Sequence, residues 1–233
     1  MDGRDTPHDT RLLLWSLLCQ LTTLVRVCGQ AGYKVGVFGK YLNRAPVHPN
    51  GRPQIPTGVS TWFVSPGDEA NKSSRLDSSG EYFPSFYYDG DGVWENTELE
   101  YETAFLGNRT LAWIRSVSAS AQPFFLYLAP HSPHGLSLPA PWYADLPIPQ
   151  TAPRTPAWND SATDHNWMIA REPALTPQEA VGLDRTFQQR WRCLRATDDL
   201  LSAMEAELKA LGIEDRTYIF YTSDQCVFRL PRC

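Results

Sequence analysis

Cysteine is scarce and poorly spaced for metal binding. The five cysteines, Cys19, Cys28, Cys193, Cys226 and Cys233, form no CxxC pair, which argues against a zinc ribbon. Their odd number leaves at least one thiol unpaired within the chain. There is no basic block either. The 21 Lys and Arg stand against 26 Asp and Glu, a formal net charge of −5, so no nucleic-acid partner is expected. No apolar run approaches the roughly 20 residues that a bilayer requires, and no integral membrane span is expected. One shorter run, Leu12–Val25 (LLLWSLLCQLTTLV), suits either a signal-peptide core or a buried helix leading into a first strand. Asp2, Asp5 and Asp9 precede it beside Arg4 and Arg11, so it lacks the positive flank usual for a signal.

What remains is an ordinary globular composition, 42% hydrophobic and 20% charged, enough for one large or two small domains. With 19 prolines and 12% aromatics, a loop-rich α/β protein fits better than a helical bundle. Three N-x-S/T sites, Asn71, Asn108 and Asn159, fit a secretory protein.

Strand and helix signals alternate along the chain. Tyr33–Phe38 (YKVGVF) reads as a short buried strand ending at Gly39-Lys40. Residues 44–92, rich in Pro, Gly, Ser and Asn, read as long loops and a hairpin turning at Asp89-Gly90-Asp91-Gly92. The pattern predicts a helix over Glu98–Val117, with Ala104, Phe105, Leu111, Ala112 and Ile114 on one apolar face. Pro123–Ala129 (PFFLYLA) predicts a strand covered on both faces. The proline-rich segment 130–156 is expected to be irregular. A long helix follows over Leu183–Leu211, with Leu194, Leu201, Met204, Leu208 and Leu211 as its stripe and Gly212 ending it. Thr217–Thr222 (TYIFYT) predicts a third strand, followed at once by Ser223-Asp224.

This order predicts a largely parallel sheet flanked by helices. Ligands bind beyond the carboxyl ends of such strands. The first predicted strand ends in Lys40, the second in His131 with His134 close behind, and the third in Asp224. A cation, an imidazole and a carboxylate on one sheet edge suit an oxyanion ester. The lysine neutralises charge, the histidine hydrogen-bonds the anion or protonates a leaving oxygen, and the aspartate suits a hard divalent ion. Taken singly, a strand-end lysine is a common solvated residue, PHSPH is a turn sequence, and Ser-Asp is a common helix cap.

These residues match a family. AGYKVGVFGKYLN (31–43) resembles the second sulfatase signature, in which Gly-Tyr is followed six residues later by Gly-Lys. PFFLYLAPHSPHGLSLPAPWY (123–143) resembles that family's central strand and His-bearing loop. DRTYIFYTSD (215–224) resembles its strand ending in a calcium-binding aspartate. APRTPAWNDSATDHNWMI (152–169) and QQRWRCLRATDDLL (188–201) resemble the N-acetylglucosamine-6-sulfatase and extracellular sulfatase branch. The resemblance implies an alkaline-phosphatase-like α/β fold and hydrolysis of sulfate esters, here the 6-sulfate of N-acetylglucosamine in glycosaminoglycans. It implies that Lys40 contacts the sulfate and that His131 binds it or assists the leaving group. By the same resemblance, His134 lines the pocket, and Asp224 with Gln225, where the family usually has Asn, binds calcium.

The family's nucleophile is a formylglycine made from Cys or Ser within C/S-x-P-x-R. No such motif occurs among the 233 residues. The resemblance therefore implies a partial catalytic domain over residues 31–233, incomplete at its N-terminal part, behind an N-terminal segment over residues 1–30. Asp198-Asp199 is no substitute for a paired calcium site, being read as helix surface. Two rival readings stay open: a non-catalytic relative that binds sulfated glycans, and a phosphodiesterase or phosphonate hydrolase of the same superfamily.

Overall fold

A computed structural model describes residues 23–42, 54–65, 82–83, 86–90, 92–95, 100–156, 158–159 and 174–223. Its strands are β1 (Lys34–Gly39), β2 (Thr61–Val64), β3 (Phe86–Asp89), β4 (Gly92–Glu95) and β5 (Phe124–Ala129). Its α-helices are α1 (Leu24–Gln30), α2 (Glu102–Ser118) and α3 (Pro177–Ala210). The strands form one sheet in the order β4-β3-β2-β1-β5. β1 lies parallel to both β2 and β5, whereas β2–β3 and β3–β4 are antiparallel. The expected sheet is thus mixed rather than largely parallel, because the tight turn predicted at residues 89–92 can only join antiparallel neighbours. Asp89 pairs directly with Gly92 there, as the hairpin reading requires.

Period-two alternation distributes the side chains over two buried faces. Val35 and Val37 of β1 and Trp62 and Val64 of β2 pack with Val25 of α1 on one side. Phe38 and Phe63 point the other way, into a core with Phe105, Leu106, Trp113, Ile114 and Val117 of α2 and Leu200, Met204 and Leu208 of α3. Gly36 shares that second face. A Cβ there would stand 2.7 Å from the Trp113 ring, so the strand leaves out a side chain where the indole lies.

Several sequence expectations need correction. Within the segment expected to be loop, Thr61–Val64 is a strand, short but buried on both faces. Phe105 and Ile114 of α2 are buried as expected, but Ala112 is exposed and the buried face also takes in Leu106, Thr110, Trp113 and Val117. In α3 it runs through Cys193, Ala196, Thr197, Leu200, Met204 and Leu208, not through Leu194 and Leu201, because the helix also packs on the loop after β5. β5 is half-buried, since it is the end strand of the described sheet. Thr217–Thr222 is not a strand in this fold. It has no sheet partner among the described residues, and Tyr218 and Phe220 are 89% and 87% exposed.

The ends of α3 follow from local chemistry. Thr176 and Glu179 form a reciprocal capping box with Pro177 in the first turn, so the helix begins earlier than the apolar pattern suggests. At the other end Gly212 takes φ 66°, its N–H bonding Lys209 while the Ile213 N–H bonds Leu208. This paired closure satisfies the last carbonyls and returns Ile213 to the core.

α3 also pins the proline-rich segment, which is irregular apart from one 3-10 turn at Pro141–Tyr143. Arg192 donates to the Leu146 carbonyl (2.8 Å), and Arg154 grips both carboxylate oxygens of Asp184 at 2.9 and 2.7 Å. The Arg154 hydrogen bonds, helped by the Ala152 N–H, hold the Asp184 carboxyl below its ordinary value. A depressed carboxylate contributes stability that is present above the unfolded pKa, about 4, and is lost as pH falls through the folded value. Asp184→Asn is expected to flatten the acid limb of a denaturation-versus-pH curve below about pH 4 and to leave its shape near neutrality unchanged. An unaltered acid limb would show that this pair does not couple to folding. Cys193, buried at the inner face of α3, has its thiol pushed up to about 12 by that burial and acts as a packing group.

Candidate functional site

The parallel pairing of β1 with β5 sets the site. Gly39 stands opposite Ala129 in register, so both chains leave the sheet at the same end. The Lys40 N–H continues the ladder to the Ala129 carbonyl (2.7 Å), and the Gly39 carbonyl accepts from Ser65 N–H (3.0 Å). Gly39 has φ 90°, and a Cβ there would meet the Ala129 carbonyl oxygen at 2.3 Å. Only glycine lets the chain turn into Lys40 this close to its neighbour.

Two residues beyond β5, His131 begins a tight loop. His134 N–H bonds the His131 carbonyl (2.7 Å), Ser137 N–H bonds His134 (3.1 Å), and the Ser137 hydroxyl donates to Pro133 (2.9 Å). Tyr82 donates its hydroxyl to the His134 carbonyl, and Tyr101 donates to Leu138 (3.0 Å). This hydrogen-bonded loop holds His131 buried, 6% exposed, while the side chain of His134 faces solvent. The sheet thus brings Lys40 and His131 to one end, with His134 on the outer side of the loop. Asp224 and Gln225 lie outside the described residues.

Sequence reasoning missed the carboxylate behind His131. Glu102, the first residue of α2, is fully buried. Its Oε1 lies 2.6 Å from His131 Nδ1 and accepts from the Tyr87 hydroxyl at 3.0 Å; its Oε2 accepts from the His131 backbone N–H at 2.8 Å. Burial, and next the Glu102 carboxylate, push the Tyr87 hydroxyl well above its ordinary range, which keeps it a donor. A lone acidic residue opening a helix reads as a solvated first-turn charge; no signal in the one-dimensional pattern marks this one as interior. Asp198 and Asp199 do lie exposed on α3, bonded to Arg195 and Tyr143 respectively. Among the described residues no group of three His, Cys, Asp or Glu is placed to hold a metal ion.

A mixed sheet whose parallel strands β2, β1 and β5 run out to one edge, with helices on both faces and Lys40 and His131 beyond adjacent strand ends, is the arrangement of an alkaline-phosphatase-like α/β fold. The solved structure of yidJ from Bacteroides fragilis shares the fold, with a TM-score of 0.55 at 15% identity over 82% of this chain and 40% of that one. The Sulfatase family model matches residues 5–226, and the chain belongs to the sulfatase family. It is 31% identical over 197 residues to human N-acetylglucosamine-6-sulfatase, covering 83% of this chain and 34% of that protein. An extracellular sulfatase of Drosophila melanogaster is 27% identical over 215 residues, 90% of this chain and 18% of its own length. The chain therefore spans about a third or less of these relatives.

Proposed function

We propose that the Lys40–His131 end of the sheet binds the sulfate group of a sulfate ester and serves its hydrolysis, with 6-sulfated N-acetylglucosamine of glycosaminoglycans as the substrate class. The observation that carries this reading is the register of β1 on β5, which supports a shared anion contact by the ammonium of Lys40 and the ring of His131. The substrate class is supported by the relatives' names alone. Lys40 neutralises the sulfate charge, and His131 hydrogen-bonds a sulfate oxygen or supplies a proton to the departing sugar oxygen. His134 would line the approach from outside.

The family implies calcium. Asp224 and Gln225 offer hard oxygen donors of the right kind, but two residues fall short of the six to eight oxygens that calcium takes. The described residues hold no cluster that completes the set, so no step is assigned to the metal. The sequence likewise contains no C/S-x-P-x-R segment, and no residue is assigned as formylglycine. A secreted or lysosomal location is proposed from the relatives and the three N-x-S/T sites. Among the described residues, no helix is long and apolar enough to cross a membrane.

The test is calorimetric titration of the purified chain with N-acetylglucosamine 6-sulfate, read beside sulfate release. Lys40→Ala and His131→Ala are each expected to weaken binding about tenfold to a hundredfold, the scale of one hydrogen bond to a charged group. Binding with no sulfate release would favour the non-catalytic glycan-binding reading. Preference for the matching phosphate ester would favour the phosphodiesterase reading, and unchanged affinity in both variants would remove the site assignment.

A further inference from the structure

The proposed anion contact does not use the buried Glu102. Yet this carboxylate grips one residue twice, through the backbone N–H of His131 at 2.8 Å and through its ring Nδ1 at 2.6 Å. We propose that Glu102 is the positioning residue for His131, holding Nδ1 as a hydrogen-bond donor so that the ring meets its substrate through Nε2. The pairing stands on geometry alone; what Nε2 meets rests on the sulfatase reading above.

With Glu102 as a carboxylate, its hydrogen bonds set the tautomer. A carboxylate oxygen carries no hydrogen, and Oε1 already accepts from Tyr87 at 3.0 Å. The Tyr87 hydroxyl is itself held in its protonated form by burial. Two donors therefore converge on Oε1, and Nδ1 must be one of them. Glu102 is in turn fixed at the start of α2, its own N–H bonded to the Tyr82 carbonyl at 2.9 Å. With backbone and ring held by one carboxylate, both side-chain torsions of His131 are set before any ligand arrives. Chemistry then passes through Nε2, as an acceptor in the neutral ring or a donor in the imidazolium.

Glu102→Gln is nearly isosteric and discriminates sharply. Glutamine has one acceptor oxygen. If that oxygen serves the His131 backbone N–H, its NH2 faces Nδ1, which must then accept, and the neutral ring moves its proton to Nε2. The reverse orientation sets NH2 against the backbone N–H, two donors in a buried site.

The test is long-range nitrogen-15 NMR of the histidine rings in the full chain, with His131→Gln assigning the signal. The expected result is a protonated Nδ1 in the wild type. In Glu102→Gln, at a pH where the ring is neutral, the Nδ1–H signal should be lost and an Nε2–H form should appear, with near-ultraviolet circular dichroism confirming the fold. An unprotonated Nδ1 in the wild type overturns the proposal, as does an unchanged ring in a folded Glu102→Gln. If that variant does not fold, the wild-type spectrum decides alone. Inorganic sulfate added to the wild type separates the two readings. An Nε2 resonance that does not move, with Nδ1–H intact, would sink the sulfate-site assignment and leave the positioning role standing.

Discussion

Replacing Gly39 by alanine is expected to lower the stability of the chain by about 2–5 kcal/mol, the sum of a disfavoured backbone and an overpacked contact. At φ 90° an L-residue is strained whatever the space around it. In addition, the new methyl group would sit 2.3 Å from the Ala129 carbonyl oxygen, a backbone atom that cannot rotate away. Relief requires β1 and β5 to separate at the end where Lys40 N–H bonds Ala129. For a chain of this size each kcal/mol moves the melting temperature by roughly 2–4 °C. Gly32 supplies the control: its φ is 87°, but a Cβ there would meet nothing within 4 Å. Gly32→Ala should therefore cost only the backbone strain, about 1–3 kcal/mol. Urea denaturation of both variants checks the difference. Equal losses would show that the approach of β5 is not what excludes a side chain at Gly39.

Trp113→Ala is expected to cost about 3–5 kcal/mol, the range for deleting a buried large aromatic side chain. The indole meets Phe38 and Phe124 edge-on, each at 5.8 Å between ring centroids, and its Nε1–H donates to the Thr61 hydroxyl at 2.9 Å. It thus touches β1, β2 and β5 from α2. The space over Gly36 is shaped for it, and no neighbouring backbone can move in without distorting β1. Trp113→Phe keeps most of the ring area and loses the Thr61 hydrogen bond, a loss of about 1–2 kcal/mol. The denaturation midpoints of the two variants are the measurement. An alanine variant within about 1 kcal/mol of wild type would mean that the sheet is not anchored through this side chain.

Local signals were legible where one residue type has one physical use. Gly39-Lys40 closing a strand, the hairpin turn over residues 89–92 and Gly212 at a helix end all stand where the sequence places them. The family signature over residues 31–43 pointed to the family that the whole-chain match shows. Helix faces were less legible. A stripe drawn from leucines and Met204 found the buried Met204 and Leu208 but missed Cys193 and Ala196, whose small side chains let α3 approach the Tyr82, Tyr101 and Ala140 cluster. Thr217–Thr222 has the composition of a strand, but a strand needs a partner, and composition says nothing of where a partner is.

By itself the sequence determined β1, β5 and the two long helices, the turn at residues 89–92 and which residues with usable chemistry follow β1 and β5. Those follow from local forces: backbone freedom at glycine, capping at Thr176, and alternation along short apolar runs. Only the tertiary structure decided that β5 lies beside β1 in register, and so that Lys40 and His131 share one end. It also decided that Glu102, separated from His131 by a whole helix and strand, is buried against the ring. Both are long-range pairings. Their physical basis is complementarity between surfaces that form only after the chain has folded, and no local pattern carries that information.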